Sequence, residues 1–253
     1  MGRIDRTGEE GVNNFGSKMI ITKYNNARDM DVYFPDYNWV AKNKRYNEFK
    51  KGEISCVYER RTCGVGYIGL GEYSPCENGK KTKCYKVWHS MLTRCYDSKV
   101  KRNYPTYKGC IVCTEWHNFQ AFAEWYNDNY YEIPGEVMCL DKDILFKGNK
   151  TYSPETCIFV SNEINALFIK GNKDRGALPI GLSYHKKGNV YISRCNFGNK
   201  LKHLGYFDNP EKAFNAYKTA KENYIKEVAD KYKEYIPQKL YEAMYNYEVE
   251  IDD

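Results

Sequence analysis

The pattern of apolar and polar positions changes period along the chain. Residues 15–75 carry short β-branched and aromatic runs, Met19-Ile-Ile-Thr-Lys-Tyr24 and Met30-Asp-Val-Tyr-Phe34, with turn formers at Asn25-Asn26, Pro35-Asp36 and Lys50-Lys-Gly52. Such runs predict a small meander that curls to cover its edges, and nothing in it reads as catalytic. From Tyr85 the period becomes helical. Tyr85, Trp88, Met91, Leu92 and Cys95 share one face, and Trp116, Phe119, Phe122 and Trp125 repeat the pattern. Aromatic stripes at this spacing read as core faces.

A strand at Cys139–Leu145, a turn at Lys147-Gly-Asn-Lys150, a strand at Tyr152–Val160 and a helix at Ser161–Phe168 follow. Ser161 is placed to cap that helix, with Glu163 in its first turn. Three more strands are expected at Leu178–Tyr184, Asn189–Cys195 and Lys200–Tyr206. A long helix then starts at Pro210, capped by Asp208 or Asn209, with Ala213, Ala216, Tyr217, Ala220, Tyr224 and Val228 on one face. Alternation sends Tyr191, Ser193 and Cys195 toward that helix, and Val190, Ile192 and Arg194 away from it.

The expected class is α+β: a β-rich domain at 1–78, a helical and ββα domain at 79–175, a three-stranded antiparallel sheet on a long helix at 176–236, and an acidic tail at 237–253. Hydrophobic residues at 42%, charged residues at 28% and a mean hydropathy of −0.76 describe a folded chain with a wet surface. No apolar run approaches the roughly 20 residues that span a bilayer, and Met1-Gly-Arg-Ile-Asp5 lacks a signal-peptide core. A cytoplasmic protein with no membrane partner is expected. With 25 tyrosines and a net charge of +6, nucleic acid suits the chain better than a small-molecule substrate.

Charge is concentrated. From 80 to 108 nine Lys and Arg face Asp97 alone, and from 170 to 203 eight face Asp174 alone. After 204 the balance reverses, ending in Glu248, Glu250, Asp252 and Asp253. Basic blocks interleaved with aromatics provide phosphate neutralisation with base or sugar contact. The ten cysteines are too scattered for a disulfide scaffold and read as buried thiols. Cys110 and Cys113 have C-x-x-C spacing, and His117, Cys139 and Cys157 are candidates to complete a structural zinc site. Buried thiols are the favoured reading of the pair.

Gly181-Leu-Ser-Tyr-His-Lys-Lys-Gly188, Tyr191-x-Ser-x-Cys195, Leu204-Gly-Tyr-Phe-Asp208 and Glu211-x-Ala-x-x-Ala-Tyr217 stand in an order and spacing that resemble the APETALA/ethylene-response-factor type of DNA-binding domain. That family lays its three-stranded sheet in the major groove. Carried over by position, the resemblance implies double-stranded DNA as partner and a face made by Tyr184, His185, Lys186, Arg194, Lys200, Lys202 and His203. The family is rich in Arg and Trp there. This chain offers Lys, His and Tyr, which favours phosphate affinity over bidentate guanine readout.

The middle segment resembles the ββα-metal motif of His-Asn-His (HNH) nucleases, on Leu140-Asp-Lys-Asp-Ile144, Asn149, Pro154-Glu-Thr-Cys-Ile-Phe-Val160 and Glu163-Ile-Asn165. Residues 80–250 together resemble phage-encoded, homing-type endonucleases that join such a motif to the sheet domain. The resemblance implies Asp141, Lys142, Asp143, Asn149 and Asn165 as catalytic positions, with Asp141 and Asn165 holding Mg²⁺ or Mn²⁺. Lys142 stands where the family places the general-base His. An exposed Lys is protonated at neutral pH, so either Asp143 acts in its place or the site does not cleave. Three functions stay open: an endonuclease, a non-cleaving DNA-binding regulator, and a phage counter-defence protein that binds a host nuclease or nucleoprotein.

Overall fold

The computed structural model describes residues 4–169, 178–198 and 200–251. The expected cations at 170–175 and the last two aspartates lie outside them. Helices and antiparallel strands are mixed along a chain that divides into two compact units, Met1–Asp128 and Asn129–Asp253.

The first unit opens with β1 (Glu10–Val12), β2 (Lys18–Asn26), β3 (Asp29–Phe34) and β4 (Trp39–Lys44), an antiparallel meander in sequential order, followed by the short α1 (Tyr46–Lys50). Alternation puts Met19, Ile21, Met30, Val32, Phe34 and Ala41 on one face, closed over by Phe49 of α1 and by Ile54. Between β3 and β4 a three-residue 3-10 turn, Pro35–Tyr37, ends at Asn38 in the left-handed region (φ 48°). The Tyr33 hydroxyl donates to Asn38 Oδ1 at 3.1 Å.

The hairpin β5 (Cys76–Glu77) and β6 (Lys80–Lys81) leads into α2 (Lys83–Tyr96) and α3 (Ser98–Asn103). Then come β7 (Ile111–Val112) and α4 (Phe119–Asn129). The aromatic stripes are core, as their spacing predicts: Trp88, Trp116, Phe119 and Phe122 are buried, and the Trp88 indole donates to the Trp116 carbonyl at 2.7 Å. Glu59 is buried as well, made tolerable by the Asn13 amide and by Arg61 Nε at 2.7 Å.

The second unit runs β8 (Met138–Asp141), β9 (Thr151–Tyr152), β10 (Ile158–Ser161), α5 (Asn162–Leu167), β11 (Leu182–His185), β12 (Val190–Phe197), β13 (Lys200–Phe207), α6 (Pro210–Tyr232) and α7 (Gln238–Tyr245). Pro210 is the first residue of α6, and Asn209 Oδ1 accepts the amides of Glu211 and Lys212. The expected single strand 152–160 is two strands, because the Ser153 carbonyl and hydroxyl close a turn on Thr156 and Cys157 between them.

Two cores meet along α6. Its first half, through Ala213, Phe214 and Tyr217, packs on Leu182 and Cys195 of the three-stranded sheet. Its second half, through Ile225, Val228, Ala229 and Tyr232, packs on Ile144, Ile158, Val160 and Ile164 of the strand–strand–helix segment. The two cores draw on residues from either side of the expected boundary between residues 175 and 176, and α6 contributes to both. Residues 237–251 are no free acidic tail. Leu240 and Met244 of α7 are fully buried, Val249 belongs to the sheet core, and Lys147 Nζ reaches Glu250 at 2.8 Å.

Candidate nucleic-acid interface and strand–strand–helix site

β8 and β10 pair antiparallel with Asp141 opposite Ile158 and Met138 opposite Ser161. Ser161 Oγ accepts the Ile164 amide and caps α5. Asp141 ends β8, and its Oδ1 accepts the amides of Asp143 and Ile144, both at 2.8 Å. Burial pushes the Asp141 carboxyl up from the usual aspartate range, and the nearby charge of Asp143 pushes it further. The two amides and Lys142 oppose the rise.

Lys142 is not the exposed lysine expected from the sequence. It is buried, with Nζ 3.1 Å from Asp143 Oδ2 and 5.7 Å from the centre of the Tyr152 ring. Its side chain is engaged with the Asp143 carboxylate. Asn149 ties the loop: its Nδ2 donates to the carbonyls of Lys142 (2.6 Å) and Thr151 (2.7 Å), and its Oδ1 accepts the Thr151 amide. That is a positioning role. Asn165 sits half-buried on α5, and no hydrogen bond joins it to Asp141 among the described residues.

Asp141 with Asp143, or Asp141 with Asn165, offers oxygen donors of the type that a hydrated divalent cation would take. A carboxylate whose ionisation is opposed by a second one beside it is an arrangement that Mg²⁺ relieves. Cys110 is buried with its thiol toward the Thr106 carbonyl, and the His117 ring meets the Tyr96 hydroxyl. Among the described residues no three His, Cys, Asp or Glu converge as metal ligands.

In the β11–β12–β13 sheet, register decides which expected DNA contacts share a face. Arg194 stands opposite His203, and Ser183 opposite Ile192, which in turn faces Tyr206. Arg194 Nη1 lies 3.4 Å from Ser183 Oγ, and the His203 and Tyr206 rings are 4.6 Å apart. These residues form the outer face, with Arg194, His203, Leu201 and Tyr206 exposed.

Tyr184, Lys200 and Lys202 have the other parity. Tyr184 pairs with Tyr191, and Lys202 pairs with Cys195 and rests 4.3 Å from the Phe197 ring, all on the side that packs against α6. The expected face is split: Tyr184 by its pairing with Tyr191, and Lys200 and Lys202 by a bulge at Leu204 that shifts β13 by one residue against β12. His185 and Lys186 lie at the hairpin tip, where His185 Nδ1 accepts the Gly188 amide at 3.2 Å. Ser183, Leu201 and Tyr206 join the outer face and were absent from the expected set. Gly205 inside the strand, with φ 149°, is the sequence signal for the bulge that brings Leu201 there.

Comparison with protein families, with curated proteins and with solved structures finds no match in any of the three.

Proposed function

We propose that the protein binds double-stranded DNA with the outer face of β11–β13 in the major groove. The observation that carries this reading is the exposed Arg194–His203 pair on a sheet whose opposite face is packed on α6. A backed sheet is a rigid reader, and the groove, about 12 Å wide, admits an element of this kind. Arg194 supplies the bidentate donor, and Tyr206 and Leu201 supply apolar surface to base edges.

The test is a fluorescence-anisotropy titration on a duplex selected from a random pool. Replacing Arg194 and His203 with Ala should weaken binding by about 1–3 kcal/mol for each base that is no longer read, and should blur sequence preference. Lys202→Ala, on the helix side, should change little. Equal losses from all three would sink the face assignment.

A second reading is favoured by the Asp141–Asp143 pair: an HNH-like ββα-metal element that cuts the bound DNA. In that reading Mg²⁺ or Mn²⁺ supplies Lewis-acid chemistry at the scissile phosphate. Asp141 and Asp143 would hold the ion, Asn149 fixes the loop that carries them, and Lys142 restrains the Asp143 carboxylate. Supercoiled plasmid incubated with Mg²⁺ or Mn²⁺, beside an EDTA control, tests it. Nicking that disappears in Asp143→Asn while DNA binding persists supports the endonuclease. Binding with no metal-dependent nicking leaves a DNA-binding regulator.

A further inference from the structure

The first unit contains a charged surface that the sheet reading does not use. Residues 80–108 hold nine Lys and Arg against one Asp, more positive charge than the net +6 of the whole chain. On α2 the apolar face formed by Trp88, Met91, Leu92 and Cys95 is buried. Lys83, Lys86, Ser90 and Arg94, at spacings of three, four and four, run along the opposite side. At 1.5 Å per residue that stripe is about 16 Å long, the rise of about five base pairs at 3.4 Å each.

The helix dipole does not favour this placement. Lys80, Lys81, Lys83 and Lys86 crowd the N-terminal end of α2, where the helix dipole favours anions and disfavours cations. Lys83 and Lys86 also repel each other at i, i+3. Asp97, the one acid of the stretch, has its Oδ1 on the amides of Lys99 and Val100 at the start of α3. Tyrosines accompany the cations. Lys81 Nζ lies 5.4 Å from the Tyr85 ring centre, the Arg94 guanidinium 5.8 Å from that of Tyr107, and Tyr104 is exposed.

We infer that the α2 stripe is a second DNA-binding surface, one that grips the phosphate backbone without reading sequence. This inference rests on the reading of the protein as a duplex-DNA binder and adds a separate site to it. Long cationic side chains on one helix face, backed by a buried apolar face, match the spaced negative charge of a duplex. An anionic membrane matches less well, because the apolar face of α2 is inside the unit and cannot enter a bilayer.

The experiment measures the affinity of the full chain for a fluorescent duplex of mixed sequence and for its selected site, across a series of salt concentrations. In the variant Lys83→Gln, Lys86→Gln, Arg94→Gln, the slope of log affinity against log salt should fall by about 2–3, and binding to mixed duplex should weaken. The ratio of selected to mixed affinity should stay as in the parent. The charge-keeping variant Lys83→Arg, Lys86→Arg, Arg94→Lys should retain the parent slope. Parental affinity and slope in the Gln variant would overturn this inference alone. A parent that binds no duplex would overturn the sheet reading with it. Loss of slope in the charge-keeping variant, or preferential capture by phosphatidylserine vesicles, would also overturn it.

Discussion

Between Tyr33 and Asn38 in the first sheet, and between Tyr184 and Asn189 in the last, the chain makes the same turn. Each has a three-residue 3-10 segment, an asparagine in the left-handed region (φ 48° and 51°), and a tyrosine hydroxyl bonded to that asparagine's Oδ1 five residues on. The chemistry around the turn differs. The first tip is Pro35-Asp36-Tyr37 and the second Lys186-Lys187-Gly188. Tyr33 faces outward opposite Val40, whereas Tyr184 faces the helix side opposite Tyr191. The first sheet closes over the five residues of α1; the second leans on the 23 residues of α6. A hairpin geometry is thus portable, and the two differ in what the tip and outer face carry.

The sharpest way to break this comparison is at the base of the second sheet. Gly181 has φ +80°, and a Cβ there would stand 2.1 Å from Tyr217 Cδ2. Gly181→Ala should cost the second unit on the order of 3 kcal/mol in urea unfolding and leave the first unit's transition in place. A neutral result would mean that the sheet does not need its backing.

Next come the paired turns. Asn38→Ala and Asn189→Ala should each cost about 1 kcal/mol, with Gly at either position recovering most of it. Unequal costs would show that the two latches are alike in geometry only.

The smallest effect separates the units by pH. Burial holds His89 and His117 below the usual histidine range, helped by the charges of Lys81 and Arg60 respectively. Below pH 6.5 the unfolded chain binds protons that these rings refuse, so the first unit should lose stability as the pH falls through 6.5. Asp141 works in the opposite sense. With its folded pKa raised, its contribution is fully present below the unfolded value of 3.8 and is lost as pH rises through the folded one. Amide exchange followed residue by residue would resolve both. An acid-induced loss confined to the second unit would contradict the assignment.

Local signals in the sequence reached far into this structure. The alternation of β12, the Asn209–Pro210 start of α6, the Ser161 cap and the apolar face of α2 are all where short-range pattern puts them. What failed was long-range. The predicted stripe on α6 includes Ala213, Tyr217 and Val228 but misses Phe214, Ile225 and Ala229, because the helix changes partner halfway along. Composition hid α7, whose Leu240 and Met244 lie in an acid-ending segment. At the candidate sites, the residue types were legible and their orientations were not. One bulge at Leu204 moved Lys200 and Lys202 off the outer face, and the burial of Lys142 depends on a ring, Tyr152, ten residues away.

The tryptophans have a practical consequence. All four, Trp39, Trp88, Trp116 and Trp125, belong to the first unit, and Trp116 lies buried with its ring 4.7 Å from that of Trp125. Intrinsic tryptophan emission is therefore a label-free reporter of residues 1–128 alone. The second unit emits only through its tyrosines. A red shift on denaturation timed against the loss of tyrosine signal would show, without any engineered probe, whether the two halves open together or in turn.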